Sequence, residues 1–200
     1  TLDDLSDAVN HTLRHFGMPE RTVEEYRMFF GNGIRYAIQC AAPADTDEAM
    51  LDRMVEVFRE YYNRHCLDKT GPYEGITDLM KDLLADGYKM AIVSNKAHEI
   101  TSRIVNQLFA PWPFACVLGT GGDIPRKPDP AGAWMCARAL GVEASRIVYV
   151  GDSGIDMQTA RNCGMYPVGV TWGFRSRAEL EANGAALLID KPEALLQLWD

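Results

Sequence analysis

The chain has 200 residues, 47% of them hydrophobic, and a formal net charge of -8. That apolar content can bury the core of one domain, or of one domain carrying a modest insertion, so a disordered chain is excluded. The acidic balance, with no run of Lys and Arg, argues against a binder of nucleic-acid phosphates.

From Leu5 to about Thr70 the periodicity predicts helices throughout. Leu5, Val9, Leu13 and Phe16 recur at helical spacing, as do Met50, Met54, Val57, Phe58 and Tyr61, with breaks at "GMPER", "FGNG" and "AAPADTD". Its Met and aromatic residues read as core. His11 and His15 are four apart, a metal-ligand spacing, but no Glu or third ligand accompanies them, and they are expected to face solvent.

From about Gly71 the pattern alternates. It predicts helix 76 to 86, strand "YKMAIV", helix 97 to 109, strand "FACVL", helix 131 to 140, strand "RIVYV", helix 153 to 163, strand "MYPVGV", helix 176 to 183, strand "ALLI" and a closing helix 192 to 199. Apolar strands alternating with helices imply a doubly wound parallel α/β sheet. The turn-rich "DKTGPYEG" marks the boundary between the two parts.

Cys40, Cys66, Cys116, Cys136 and Cys163 are odd in number, scattered and without a C-x-x-C pair, which suggests neither a disulfide framework nor a zinc site. They read as residues of a reduced, cytoplasmic protein. The opening "TLDDLSDAVN" has no signal-peptide pattern and no apolar run approaches spanning length, so neither membrane nor nucleic acid is an expected partner.

Three strands end in polar residues that would gather on one rim of the sheet, where open α/β sheets bind ligands. "MAIVSNK" places Ser94, Asn95 and Lys96 there, "FACVLGTGGDIPRKPDP" a glycine-rich loop and Lys127, and "RIVYVGDSGID" Asp152 and Asp156. A hydroxyl, a lysine and two carboxylates are what a phosphoryl group and a divalent cation need together. Each also has a plainer reading: Ser94 as a helix cap, Lys127 as a solvated lysine, and Ser153 with Asp156 as a capping box.

The order Ser94, Lys127 within "KPDP", then "GDSGID" resembles motifs two to four of the haloacid dehalogenase-like hydrolase superfamily, and the helical block resembles its cap. "FGNGIRYAI" and "VTWGFRSRAELEANGAALLIDKPEAL" are similar to segments of its phosphoglycolate phosphatases. The resemblance implies a Rossmann-like core formed by residues 1–4 and 71–200, a helical cap over 5–70, and a Mg²⁺-dependent phosphatase that works through an aspartyl-phosphate. In that scheme Ser94 and Asn95 hold the phosphoryl group and Lys127 pairs with nucleophile and phosphate. Asp152 and Asp156 form the metal site, while Gly31, Asn32, Gly33 and Arg35 cover a small phosphorylated metabolite such as 2-phosphoglycolate. Sugar-phosphate phosphatases, phosphomutases and pyrophosphatases of the same fold share parts of the pattern.

One departure is serious. Thr1-Leu2 aligns with the end of the superfamily's D-x-D-G-T-L, so the first core strand and both acids of that motif are absent, and no strand precedes Asp3 or Asp4 to hold a substitute. The expectation is that about ten residues of a parent protein lie ahead of Thr1, or that the chain is a shortened relative that binds phosphate or a partner without catalysis. On either reading the chain beginning at Thr1 is expected to be inactive.

Overall fold

The computed structural model describes residues 1–31 and 33–199. Two compact units divide the chain, Thr1–Gly71 and Pro72–Asp200.

The first unit is helical: α1 (Leu2–His15), α2 (Val23–Phe29), α3 (Ile34–Ala41) and α4 (Glu48–His65). Caps fix the starts of two of them. The Thr22 side chain accepts from the Glu25 amide and the Glu25 carboxylate from the Thr22 amide, and Asp47 accepts from Met50 N at 2.7 Å. The buried line of α4 is Leu51, Met54, Val55, Phe58 and Tyr62. It is turned from the expected Met50–Met54–Val57–Phe58–Tyr61 stripe because α4 carries apolar residues around more than one face, and packing against α1 and α3 selects among them. Met50, Val57 and Tyr61 are half-buried. His15 is exposed, as expected, and His11 is half-buried, its ring stacking on Tyr61 at 4.0 Å. No cluster of three metal-ligating side chains exists among the described residues.

Asp3 and Asp4 fall in the first turn of α1, where acids suit the helix dipole. Asp4 does more. Its carboxylate is 2% exposed and accepts from Lys69 N at 2.9 and 3.1 Å, Thr70 N at 2.8 Å and Thr70 Oγ1 at 2.6 Å. The segment leaving α4 is thereby tied to the start of α1.

The second unit alternates α5 (Ile76–Ala85), β1 (Met90–Ala97), α6 (His98–Leu108), β2 (Phe114–Thr120), α7 (Ala131–Leu140), β3 (Val148–Gly151), α8 (Gly154–Cys163), β4 (Tyr166–Val170), α9 (Arg177–Ala182) and β5 (Leu187–Ile189). All strand pairs are parallel. β1 pairs with β2, and β4 pairs with β3 on one edge and β5 on the other, giving a two-stranded and a three-stranded sheet. Among the described residues β1 and β3 each keep one edge without a neighbouring strand. Val168 and Val170 of β4 are buried, while Val150 of β3 is 42% exposed. Left-handed Gly141 and Gly164, each at φ 71°, end α7 and α8, a conformation that glycine adopts without steric cost.

Two expectations change here. Residues Pro192–Trp199 form a 3-10 rather than an α-helix. Pro192 and Leu195 are buried and Leu198 half-buried, so the apolar positions repeat every three residues, the 3-10 period. β1 also runs on through Ser94, Asn95 and Lys96 to Ala97, with a register shift between Val93 and Ala97.

Candidate active site

The geometry grows from the carboxyl end of β3. Gly151 is required there, because a Cβ would lie 2.2 Å from the Asp156 Cβ. Ser153 then caps α8, and the capping box is complete: Ser153 Oγ accepts from Asp156 N, while Asp156 Oδ2 accepts from Ser153 N at 3.2 Å and from Ser153 Oγ at 2.6 Å. The remaining oxygen, Oδ1, accepts from Lys127 Nζ at 2.6 Å. The capping role and the charged role of Asp156 are therefore one arrangement.

Lys127 is not a solvated lysine. Its side chain is 14% exposed and its Nζ also donates to Val93 O of β1 at 3.3 Å. Burial alone would depress its pKa, but the adjacent Asp156 charge and Tyr149 outweigh that, and the ammonium is held above the ordinary lysine value. The Tyr149 hydroxyl is buried beside Lys127, and burial pushes its pKa up to about 12.

Asn95 builds the loop that aims Lys127. Asn95 Nδ2 donates to Lys127 O at 3.1 Å and Lys127 N donates to Asn95 Oδ1 at 2.8 Å, a reciprocal pair that fixes the backbone of the lysine. The Lys127–Pro128 peptide is cis. Ser94 does not cap α6: the N-cap is Ala97 with no side-chain bond, and Ser94 Oγ instead accepts from Lys96 N at 3.1 Å. The end of β2 closes on this turn through Thr120 Oγ1, which donates toward Asn95 O and Lys96 O at 3.3 and 3.2 Å.

Asp152 is the other acid. Its Oδ2 accepts from Phe174 N at 3.0 Å. Burial and then the charge of Asp156 raise its pKa above the ordinary aspartate value, and the Phe174 amide only partly offsets them. A half-buried carboxylate repelled by a second one suits a hard cation, and Mg²⁺ is commonly held by one or two carboxylates with water and substrate oxygens completing its shell. The donor set fits that ion, with Asp152 the acid available to contact it and Asp156 committed to Lys127 and Ser153.

Ser94, Asn95, Lys127, Asp152 and Asp156 thus belong to the second unit. Gly31, Gly33 and Arg35 belong to the helical unit, and Asn32 lies outside the described residues. Gly33, at φ 92°, is the N-cap of α3. Arg35 is tied within its own unit, its Nη2 lying 2.6 Å from Glu48 Oε2 and 3.0 Å from Asp52 Oδ1. The Phe174 amide and Gly173 lie beside Asp152, and their signal in the sequence is the "VTWGF" that follows an apolar strand.

Among families, the model described as haloacid dehalogenase-like hydrolase matches residues 1–170. Phosphoglycolate phosphatase of Pseudomonas putida is 30% identical, the match covering 98% of this chain and 74% of that protein. The enzyme of the same name from Mesorhizobium japonicum is 30% identical over 94% of this chain and 84% of its own length. Among solved structures, an inferred phosphoglycolate phosphatase from Lactobacillus delbrueckii subsp. bulgaricus superposes with a TM-score of 0.91 at 38% identity, over 99% of this chain and 92% of that one.

Proposed function

Because this chain belongs to the haloacid dehalogenase-like hydrolase family, in its phosphoglycolate phosphatase-like subgroup, we propose that its activity is hydrolysis of a small acidic phosphomonoester such as 2-phosphoglycolate. The observation that carries this reading is the buried Lys127–Asp156 pair set beside Asp152 at one strand end. A lysine fixed by its own carboxylate can present positive charge to a phosphoryl oxygen without spending its charge on solvent.

In this reading Lys127 Nζ approaches the transferring phosphoryl group and the attacking carboxylate, lowering their mutual repulsion. Ser94 Oγ and the amides of its turn donate to phosphoryl oxygens. Asn95 holds Lys127 through its backbone, which gives it a positioning task in place of direct substrate contact. Asp152 holds Mg²⁺ and Asp156 keeps Lys127 in place. The ion, when bound, neutralises phosphate oxygens as charge shifts in the transition state. Residues 5–70 serve as the helical cap.

The nucleophile of the proposed double displacement is a carboxylate on a strand ahead of Thr1. It attacks phosphorus and the P–O bond to the alcohol breaks, the alcohol taking its proton from the second acid of D-x-D; water then attacks phosphorus of the acyl phosphate, returning that proton to the acid and releasing phosphate and the free carboxylate. The edges of β1 and β3 that have no neighbouring strand among the described residues support a strand at that place. The test is a phosphate-release panel on protein extended by an apolar strand closing on D-x-D-G ahead of Thr1. Preference for 2-phosphoglycolate, abolished by EDTA, is expected; preference for a hexose phosphate or pyrophosphate overturns the substrate assignment.

A further inference from the structure

Beyond β4 the chain makes a short turn, Thr171 to Ser176, before α9. Both sides of it are anchored. Thr171 N donates to Ile189 O at 3.1 Å, Trp172 packs against the core formed by Leu79, Leu83 and Val170, and Ser176 caps α9 by accepting from Glu179 N at 3.2 Å. Glu179 in turn accepts from Gly154 N at 3.1 Å, joining α9 to the start of α8. Within this frame the Phe174 amide donates to Asp152 Oδ2 at 3.0 Å. Gly173 lies so close that a Cβ there would stand 2.2 Å from Asp152 Cβ and 2.3 Å from its Oδ2.

We infer that the Trp172–Gly173–Phe174 turn is the positioning element of Asp152, fixing one carboxylate oxygen through the Phe174 amide and leaving the group aimed at a divalent cation, with Gly173 the residue that makes the approach possible. The inference rests on the magnesium reading above. A ligand held by a second partner loses less freedom on binding, and removal of such partners weakens metal affinity roughly 10- to 100-fold. Any side chain at 173 must displace Asp152, since the atoms it meets, Cβ, Cγ and Oδ2, belong to the carboxylate that the turn itself holds through Phe174 N.

The experiment is Mn²⁺ titration of the full chain followed by electron paramagnetic resonance, on the unsubstituted protein, Gly173→Ala and Ile104→Ala. Ile104 of α6 is a buried residue of the same unit that lies outside the cluster on which Trp172 packs. Gly173→Ala is expected to weaken Mn²⁺ binding by roughly tenfold or more, while Ile104→Ala lowers the melting temperature and leaves the affinity intact. A second readout needs no variant of the turn: in Asp152→Ala the Phe174 amide is expected to exchange its proton faster. Equal Mn²⁺ affinity in Gly173→Ala and the unsubstituted chain, parallel loss in Ile104→Ala, or an unchanged Phe174 exchange rate overturns the inference alone. No Mn²⁺ binding by the unsubstituted chain overturns the magnesium reading and the inference with it.

Discussion

Lys127 Nζ and Asp156 Oδ1 are 2.6 Å apart, with side chains 14% and 7% exposed, and the same aspartate closes the capping box of α8. Removing either partner leaves the other charge buried. Lys127→Met is therefore expected to destabilise the protein by about 3–5 kcal/mol at neutral pH in urea unfolding. The Lys127 pKa is raised in the fold above the ordinary value of 10.5. Its charged form therefore stabilises the folded state fully below that ordinary value, and the contribution fades as pH climbs through the higher folded-state pKa. The difference between the unsubstituted protein and Lys127→Met should hold from pH 6 to 9 and shrink only above about pH 10.5.

Asp152 predicts the opposite balance. Its pKa is raised by burial and by Asp156, so the ionised carboxylate is disfavoured in the fold. Stability is lost as pH rises from the unfolded aspartate value through the higher folded one. Asp152→Asn, which can still accept from Phe174 N, should raise the melting temperature at pH 7 by removing a buried charge, an advantage that vanishes near pH 3.8 and below. The same variant should abolish Mg²⁺-dependent stabilisation. A lower melting temperature at pH 7 contradicts this electrostatic account.

The two small residues at the start of α8 separate packing from capping. Ser153→Ala removes one capping hydroxyl and should cost about 1 kcal/mol. Gly151→Ala drives a methyl group into Asp156 and displaces the partner of Lys127. It should cost more stability than Ser153→Ala in the same urea titration, and equal losses would place the cost elsewhere.

Asp4 is the structural acid of the helical unit. Its buried carboxylate satisfies Lys69 N, Thr70 N and Thr70 Oγ1. Asp4→Ala orphans those donors and should cost about 3 kcal/mol. Asp4→Asn keeps one acceptor oxygen and should recover part of that. If Asp4 were instead a reacting group, the alanine variant would fold with unchanged stability.

The α/β alternation was legible because parallel strands buried on both faces read as apolar runs between amphipathic helices. Gly141 and Gly164 closed two helices where turn chemistry alone would place the ends. Contacts across long sequence separations were not legible. Asp4 meets Lys69 and Thr70 from 65 and 66 residues away, and Asn95 meets Lys127 from 32 away. Ser94, Lys127 and the two acids stood out as residue types at strand ends, but "GDSGID" alone reads equally as a cap and as an acidic site. Asp156 serves both, through its two oxygens. Gly173 carried no chemistry of its own in the sequence and becomes significant only against Asp152.

The central claim is a phosphatase site in which Lys127, held by Asp156, meets the transferring phosphoryl group, and the direct test is Mg²⁺-dependent phosphate release from 2-phosphoglycolate. It is measured side by side on protein that carries an apolar strand closing on D-x-D-G ahead of Thr1 and on the same protein bearing Lys127→Met. Release by the unsubstituted form, lost in Lys127→Met, is the predicted result. Undiminished turnover with Lys127→Met contradicts it.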